Sequence, residues 1–330
     1  MHSTVKHIGR LGLFILVLFL LLAILSALFL PDYSIRNWGR MNYEFSGIFG
    51  EPDNTIDVIF AGDSETFCAF SPMEIWKNQG FTTYLCSKDS QTLQDSYEYI
   101  RLALETQKPE LVLLETFHFF REFDLETVLH SESRQWFPII GNHDLWRKMD
   151  LQEENRKPGM RYVDDLKTYY ISYQVSPASE EPYMLQTDEK EEIPYLNRWA
   201  FSRIVKLCQK ENIQLALVSS PSPKNWSGEK HNAIRELAQQ YDLPYLDLNL
   251  VTEEIGLDWT LHTRDEGDHL NHPGAVRTTE YLGRWLAEHY DLQDHRNCEG
   301  YESWDISLVN YERKVAEHVK FRAPMFRAAE

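Results

Sequence analysis

The stretch IDVIFAGDS, residues 56–64, runs from an apolar, β-branched segment straight into a glycine, an aspartate and a serine. Its lack of alternation reads as a strand buried on both faces, with Gly62 where the backbone must turn. Working outward, FTTYLC (81–86), ELVLLET (110–116), IQLALVS (213–219) and PYLDL (244–248) are four further strand segments. Helical patterns fill the gaps. Ser71-Pro72-Met73-Glu74 reads as a helix start by capping box with proline at the first position, and Gly80 as its stop. In 90–107, Leu93, Tyr97, Ile100 and Leu104 share a face, and Lys108-Pro109 ends that helix. Residues 199–212, the stripe Ile234, Leu237, Ala238, Tyr241, and residues 275–289 supply three more. Continuous apolar strands alternating with amphipathic helices predict a parallel five-stranded sheet covered on both faces. This is a three-layer α/β/α domain over 55–296. The segment 117–195 interrupts the alternation at a length that suits a lid or binding subdomain. Residues 297–330 form an aromatic, charged tail.

Upstream, residues 11–30 (LGLFILVLFLLLAILSALFL) are interrupted only by Gly12 and Ser26. At 1.5 Å per residue they span about 30 Å, the hydrocarbon thickness of a bilayer. The run is longer than a signal-peptide core, and Leu28-Phe29-Leu30-Pro31 is a poor cleavage site, so an uncleaved anchor is predicted. Lys6 and Arg10 put residues 1–10 in the cytoplasm by the positive-inside rule, and the body outside, at the cell membrane. Residues 31–54 read as a membrane-proximal connector.

The chain has 330 residues, 43% hydrophobic and 25% charged, a composition that excludes disorder. Beyond the first ten positions, 31 basic residues face 51 acidic ones, which excludes a nucleic-acid partner. Four cysteines are too few for a disulfide framework and lack zinc spacing. Cys68 and Cys86 are either a disulfide pair or buried free thiols.

In a doubly wound sheet the ligand lies outside the carboxyl ends of the strands. Ser64 follows the first strand there, and its amide can donate to an oxyanion. A second block, Glu266-Gly267-Asp268-His269-Leu270-Asn271-His272-Pro273-Gly274-Ala275, follows the fifth strand at the same edge. A serine hydroxyl is a feeble nucleophile until an imidazole takes its proton, and the imidazole needs an acid to fix its tautomer. His269 is the candidate base. Spacing favours Glu266 as the acid and side-chain length favours Asp268. His272 reads as a solvated loop histidine. No histidine pair stands at helical metal spacing beside a carboxylate, so no metal or other cofactor is expected.

The strand–GDS start, the five-strand α/β order and the terminal DHLNHPGA together resemble the SGNH/GDSL hydrolase family. The likeness is greatest to membrane-anchored members of bacterial envelope pathways, such as polysaccharide O-acetyltransferases and the D-alanyl transfer protein of teichoic acids. The resemblance implies a flavodoxin-like sheet, Ser64 as nucleophile and His269 as base, with Glu266 where the family has aspartate. The family's second-block glycine is absent; Ser87 or Ser90 of CSKDSQ (86–91) stands in as oxyanion donor. The third-block asparagine is missing from LLETFHF (113–119), leaving Thr116 or His118 to compensate. His143, Trp146 and Trp226 are candidate substrate-stacking residues, with packing of the insertion as the alternative for both tryptophans. The implied activity is serine-dependent transfer or removal of an acyl group, acetyl by preference, on hydroxyls of an envelope glycan. The implied partner is a multi-pass acyl-exporting membrane protein. The contrasting expectation is a degenerate fold that binds or scaffolds an envelope assembly.

Overall fold

The computed structural model describes residues 2–28, 45–137, 139–142, 163–179 and 181–326. All five strands form: β1 (Val58–Gly62), β2 (Thr83–Ser87), β3 (Leu111–Glu115), β4 (Gln214–Ser219) and β5 (Tyr245–Asp247). They pair in parallel in the order β2-β1-β3-β4-β5. Every residue of β1, β2 and β3 is buried, which is why their sequences do not alternate. The chain steps from β1 to β2 in one direction and then to β3 on the other side of β1. That reversal opens a crevice at the carboxyl ends of β1 and β3, the position a doubly wound sheet gives its ligand.

The helices are α1 (His2–Leu28), α2 (Ser64–Ala69), α3 (Pro72–Gln79), α4 (Leu93–Ala103), α5 (Leu125–Trp136), α6 (Ile139–Asn142), α7 (Tyr195–Glu211), α8 (Gly228–Tyr241), α9 (Thr252–Ile255), α10 (His272–His289) and α11 (Glu302–Phe326). Gly80 stops α3 in a left-handed conformation, φ 85°, as expected from its sequence position. The expected capping box at its start does not form. The Ser71 side chain makes no cap bond, and Glu74 instead accepts from the Tyr311 hydroxyl at 2.7 Å. A capping box does form at α4, between Thr92 and Asp95. The buried face of α4 includes Leu93, Ser96, Tyr99, Ile100 and Ala103, while Tyr97 lies against the Arg203 guanidinium, 3.9 Å from its ring centre. Residues 302–326 of the C-terminal tail form the helix α11. In α11, Trp304 and Tyr311 are buried, and Trp304 packs on Trp76 with centroids 5.5 Å apart.

The chain divides into two compact units. One comprises 1–43 and 124–162 and holds α1, α5 and α6. Within it Phe19 meets Phe137 edge-on at 5.2 Å, and the Ile139 amide donates to Ser26 Oγ at 3.3 Å. Residues Lys6–Leu28 of α1 are long and apolar enough to cross a bilayer, with mean hydropathy 3.1. The other unit comprises 44–123 and 163–330 and carries the sheet. Of the segment 117–195, residues 117–123 and 163–195 therefore belong to the unit that holds the sheet. All four cysteines are free, and burial pushes the Cys68 and Cys86 thiols far up, so both are inert packing residues.

Candidate active site

Ser64 is the first residue of α2, with Asp63 as its N-cap. Asp63 is fully buried; its Oδ1 accepts from the Glu65 amide at 3.1 Å and its Oδ2 from Arg121 Nη2 at 2.9 Å. The chain can make this turn only because residue 62 lacks a side chain. A Cβ there would sit 2.7 Å from Glu115 Cβ and run into Thr66 Oγ1. The Ser64 amide has no acceptor among the described residues, so it is available as a donor at the mouth of the sheet.

His269 joins Ser64 across the crevice, its Nε2 2.8 Å from Ser64 Oγ. Its Nδ1 stands 2.7 Å from Asp265 Oδ2, and its backbone N–H donates to Asp265 Oδ1 at 2.6 Å. The acid against the imidazole is thus Asp265, four residues before the histidine. Neither expected acid takes that place. Glu266 is exposed at a left-handed turn (φ 64°), and Asp268 Oδ1 lies 3.4 Å from Nδ1 and instead accepts from Asn225 Nδ2 at 2.6 Å. The cause is the turn itself. Glu266 and Gly267 are both left-handed, φ 64° and 90°, which loops out one residue and brings Asp265 back over the ring. The Thr263 hydroxyl fixes the loop by accepting from the Gly267 amide at 2.8 Å.

Burial opposes ionisation of Asp265. The bonds from the His269 ring and amide, with the charges of His269 and Arg264, outweigh it and hold the carboxyl below its usual value. An ionised Asp265 accepts a hydrogen bond from Nδ1–H, which keeps the proton on Nδ1 and leaves Nε2 as an acceptor for the Ser64 hydroxyl.

Behind Ser64 lies a set of buried carboxyls. Glu115, at the end of β3, is fully buried and pushed up to about 7 by burial, despite bonds from the Phe117 and Ser220 amides and the Ser220 hydroxyl. Glu65 is likewise pushed well above the usual carboxyl range, chiefly by burial and then by the neighbouring Asp63 and Glu115 charges. Asn225 ties this layer to the histidine loop, donating to Glu65 Oε1 at 2.7 Å as well as to Asp268. Glu65, Asp268 and His269 bring one metal-ligating atom each within 4.8 Å of one another. Asn225 already bonds both carboxylates, and Ser64 and Asp265 occupy the two ring nitrogens.

The expected oxyanion donors fare unequally. Thr116 is buried, with its hydroxyl 2.6 Å from Ser219 Oγ in a chain that continues to Tyr245, away from Ser64. Ser87 pairs with Gly62 at the end of β2, and its hydroxyl is fully buried with no partner among the described residues. Ser90 sits in an exposed left-handed turn, φ 54°. His118 is buried, bonded to Ser96 Oγ at 3.0 Å, and lowered to about 4 by burial. Trp226 is not a stacking platform: it is 4% exposed, donates to Asp247 at 2.9 Å and packs against Phe120. His143 and Trp146 lie outside the described residues. His272 is not solvated; it opens α10 buried, with Nδ1 2.9 Å from the Tyr169 hydroxyl.

Asp265, Asn225 and Arg121 join the site without a motif in the sequence that names them. For the first a signal existed: a glycine two places before the histidine allows a left-handed turn that alters the spacing.

No protein-family model matches the chain, and no curated protein matches it. Among solved structures it is similar to an acetyl xylan esterase, AlAXEase, at 16% identity over 70% of this chain and 99% of that one, TM-score 0.37. It is also similar to a GDSL-like lipase from Bacteroides thetaiotaomicron at 9% identity over 71% and 89% of the two chains, TM-score 0.35. At these scores neither likeness lends weight to a reading of the chemistry, which stands on Ser64, His269 and Asp265.

Proposed function

We propose that this chain is a membrane-tethered serine acyltransferase or esterase acting on ester-bearing hydroxyls of a cell-envelope glycan, outside the cytoplasmic membrane. The observation that carries the reading is the unbroken hydrogen-bonded line from Ser64 Oγ through His269 to Asp265, at 2.8 and 2.7 Å. Three residues drawn from opposite ends of the domain meet in the order that serine activation requires.

Ser64 Oγ attacks the acyl carbonyl while His269 Nε2 takes its proton, and Asp265 stabilises the resulting imidazolium. The Ser64 amide donates to the developing oxyanion. His269 then returns the proton to the leaving oxygen as the C–O bond breaks, leaving an ester on Ser64. In the second half, His269 deprotonates either water or a glycan hydroxyl, which attacks that ester and regenerates the Ser64 hydroxyl. Water gives hydrolysis and the glycan gives transfer. A tether favours transfer, since it holds the site beside a membrane partner that supplies the acyl group.

The test uses full-length protein in detergent. A fluorophosphonate is expected to add once to wild type and not to Ser64→Ala, read by intact mass. Failure to label wild type under conditions that label a control esterase would turn the reading to a binding or scaffolding subunit. Release of acyl groups to water against capture by an added oligosaccharide then separates hydrolysis from transfer.

A further inference from the structure

Beside the Ser64–His269–Asp265 line lies a cavity of about 450 Å³ lined by Phe67, Asp89, Thr168, Tyr169, Tyr170 and Arg264. Its volume is in the range of small-ligand sites. Two of its walls belong to the reacting elements. Phe67 is one helical turn beyond Ser64 in α2. Arg264 precedes Asp265, donates Nε to its Oδ2 at 3.3 Å, and donates its backbone N–H to the His269 carbonyl at 3.1 Å.

The third wall, residues 168–170, is held together with the preceding Lys167 in an unfavourable shape by four separate anchors. Lys167 and Thr168 are consecutive non-glycine residues in the left-handed region, φ 53° and 77°, and for β-branched Thr168 this is a true outlier. Lys167 is fully buried, with Nζ bonded to Glu51 and to Ser307 and lying over the Trp304 ring. The Thr168 amide donates to Asp164 at 2.7 Å, the Tyr169 hydroxyl meets His272 at 2.9 Å, and the Tyr170 amide donates to the Phe67 carbonyl at 2.9 Å. Strain that the surroundings over-determine marks a segment held for its side chains. What this segment offers is the Tyr170 ring, 52% exposed, with the Arg264 guanidinium 4.9 Å from its centre.

We infer that this cavity is the subsite for a neutral saccharide, seating the sugar that gives or receives the acyl group; the assignment rests on the acyl-transfer reading only for that last role. The lining combines what a pyranose needs. Tyr170 and Phe67 offer apolar ring surface to its C–H faces, while Asp89 and Arg264 offer an acceptor and a donor fork to neighbouring hydroxyls. The charges decide against an acidic sugar. Arg264 is already paired with Asp265, Asp89 stands in the same lining, and the chain carries a net charge of −18.

The test is calorimetric titration of the full-length Ser64→Ala protein in detergent with tetrasaccharides of glucose, galactose and N-acetylglucosamine, and with tetragalacturonate as the acidic counterpart. At least one neutral tetrasaccharide is expected to bind, and Tyr170→Ala and Asp89→Ala, each in that background, to weaken it about tenfold or more. Asp89 is exposed in a loop, so its variant carries the test should Tyr170→Ala lower the melting temperature. Absence of binding by every neutral tetrasaccharide, equal binding in the Asp89 variant, or preference for tetragalacturonate would overturn the assignment. Because binding is read without the Ser64 hydroxyl, the two ideas fail separately. A wild-type chain that binds saccharide but resists fluorophosphonate keeps the subsite and loses the chemistry.

Discussion

Replacing Asp265 by asparagine keeps the side-chain shape but removes the charge that fixes the Nδ1 proton of His269, so the ring can present its N–H rather than its lone pair to Ser64. The rate of fluorophosphonate addition to Ser64 is expected to fall by about 10²–10⁴ in Asp265→Asn. Asp268→Asn, which disturbs the Asn225 bond, an ion pair with Lys224 at 3.7 Å and a contact at 3.4 Å, is expected to cost less than about tenfold, and Glu266→Gln, at an exposed position, less than about twofold. If Asp268→Asn proves the costlier change, the geometry at Nδ1 has been misassigned. Ser64 and His269 were legible because each is tied to a local pattern, a glycine turn after a strand and a histidine ahead of a helix. Asp265 was not, because spacing along the chain identifies a partner only if the backbone between is known, and two left-handed residues shift it by one. Trp226 shows the converse: an aromatic in a loop after a strand says nothing of which way it points, and of stacking and packing it takes the second, pointing to Asp247.

At the scale of the element, the five strands were readable to within two residues at each end, since each is a short apolar run between helical patterns, and burial on both faces of β1, β2 and β3 keeps theirs unbroken. Helix starts were harder. Ser71 and Glu74 carry a capping box on paper, yet Tyr311, from a helix more than two hundred residues away, takes the glutamate. The turn from β1 into α2 yields the sharper prediction. Gly62→Ala forces a Cβ to within 2.7 Å of Glu115 Cβ, and β3 cannot retreat without breaking its pairing with β1 and β4. A loss of about 1–3 kcal/mol is expected by denaturant unfolding, with slower labelling of Ser64; an unchanged midpoint would mean the crevice is looser than its packing. Glu115 itself gives a pH signature. Its carboxyl is pushed from 4.5 to about 7, chiefly by burial, so between those values the folded chain keeps a proton the unfolded chain has lost. Its contribution to stability is therefore present at low pH and fades as pH rises through that window, by about 3 kcal/mol in all. His118, lowered from 6.5 to about 4 by burial, acts in the opposite sense, and its contribution is lost as pH falls from 6.5 to 4. Glu115→Gln removes the first effect and leaves the second. The melting temperature of the variant, relative to wild type, should rise by about 5 °C between pH 5 and pH 8. A constant difference would mean that Glu115 ionises normally.

Over the whole molecule, what the sequence made plain was a contrast in solvent preference: one apolar helix and a body rich in acids. That α5 and α6 group with α1 rather than with the sheet was not legible, since amphipathic stretches carry no record of which apolar surface they pack against. The contrast nevertheless has a testable consequence. Residues Lys6–Leu28, at 1.5 Å per residue, reach about 35 Å, enough for the hydrocarbon core with some tilt. On the proposed topology, Lys6 and Arg10 mark the end that stays in the cytoplasm. The proposed glycan acylation requires the body to lie on the other side, where an envelope substrate is within reach. The full chain expressed in a bacterium should therefore stay with membranes through an alkaline carbonate wash, and a chain lacking residues 1–28 should not. Alkaline phosphatase fused after Glu330, a reporter that folds only where disulfides form, should be active. An inactive fusion on a membrane-retained chain would put Ser64 on the cytoplasmic side, where the envelope glycan is out of reach. The proposed substrate would then fall, although the hydrogen-bonded line from Ser64 to Asp265 would still stand.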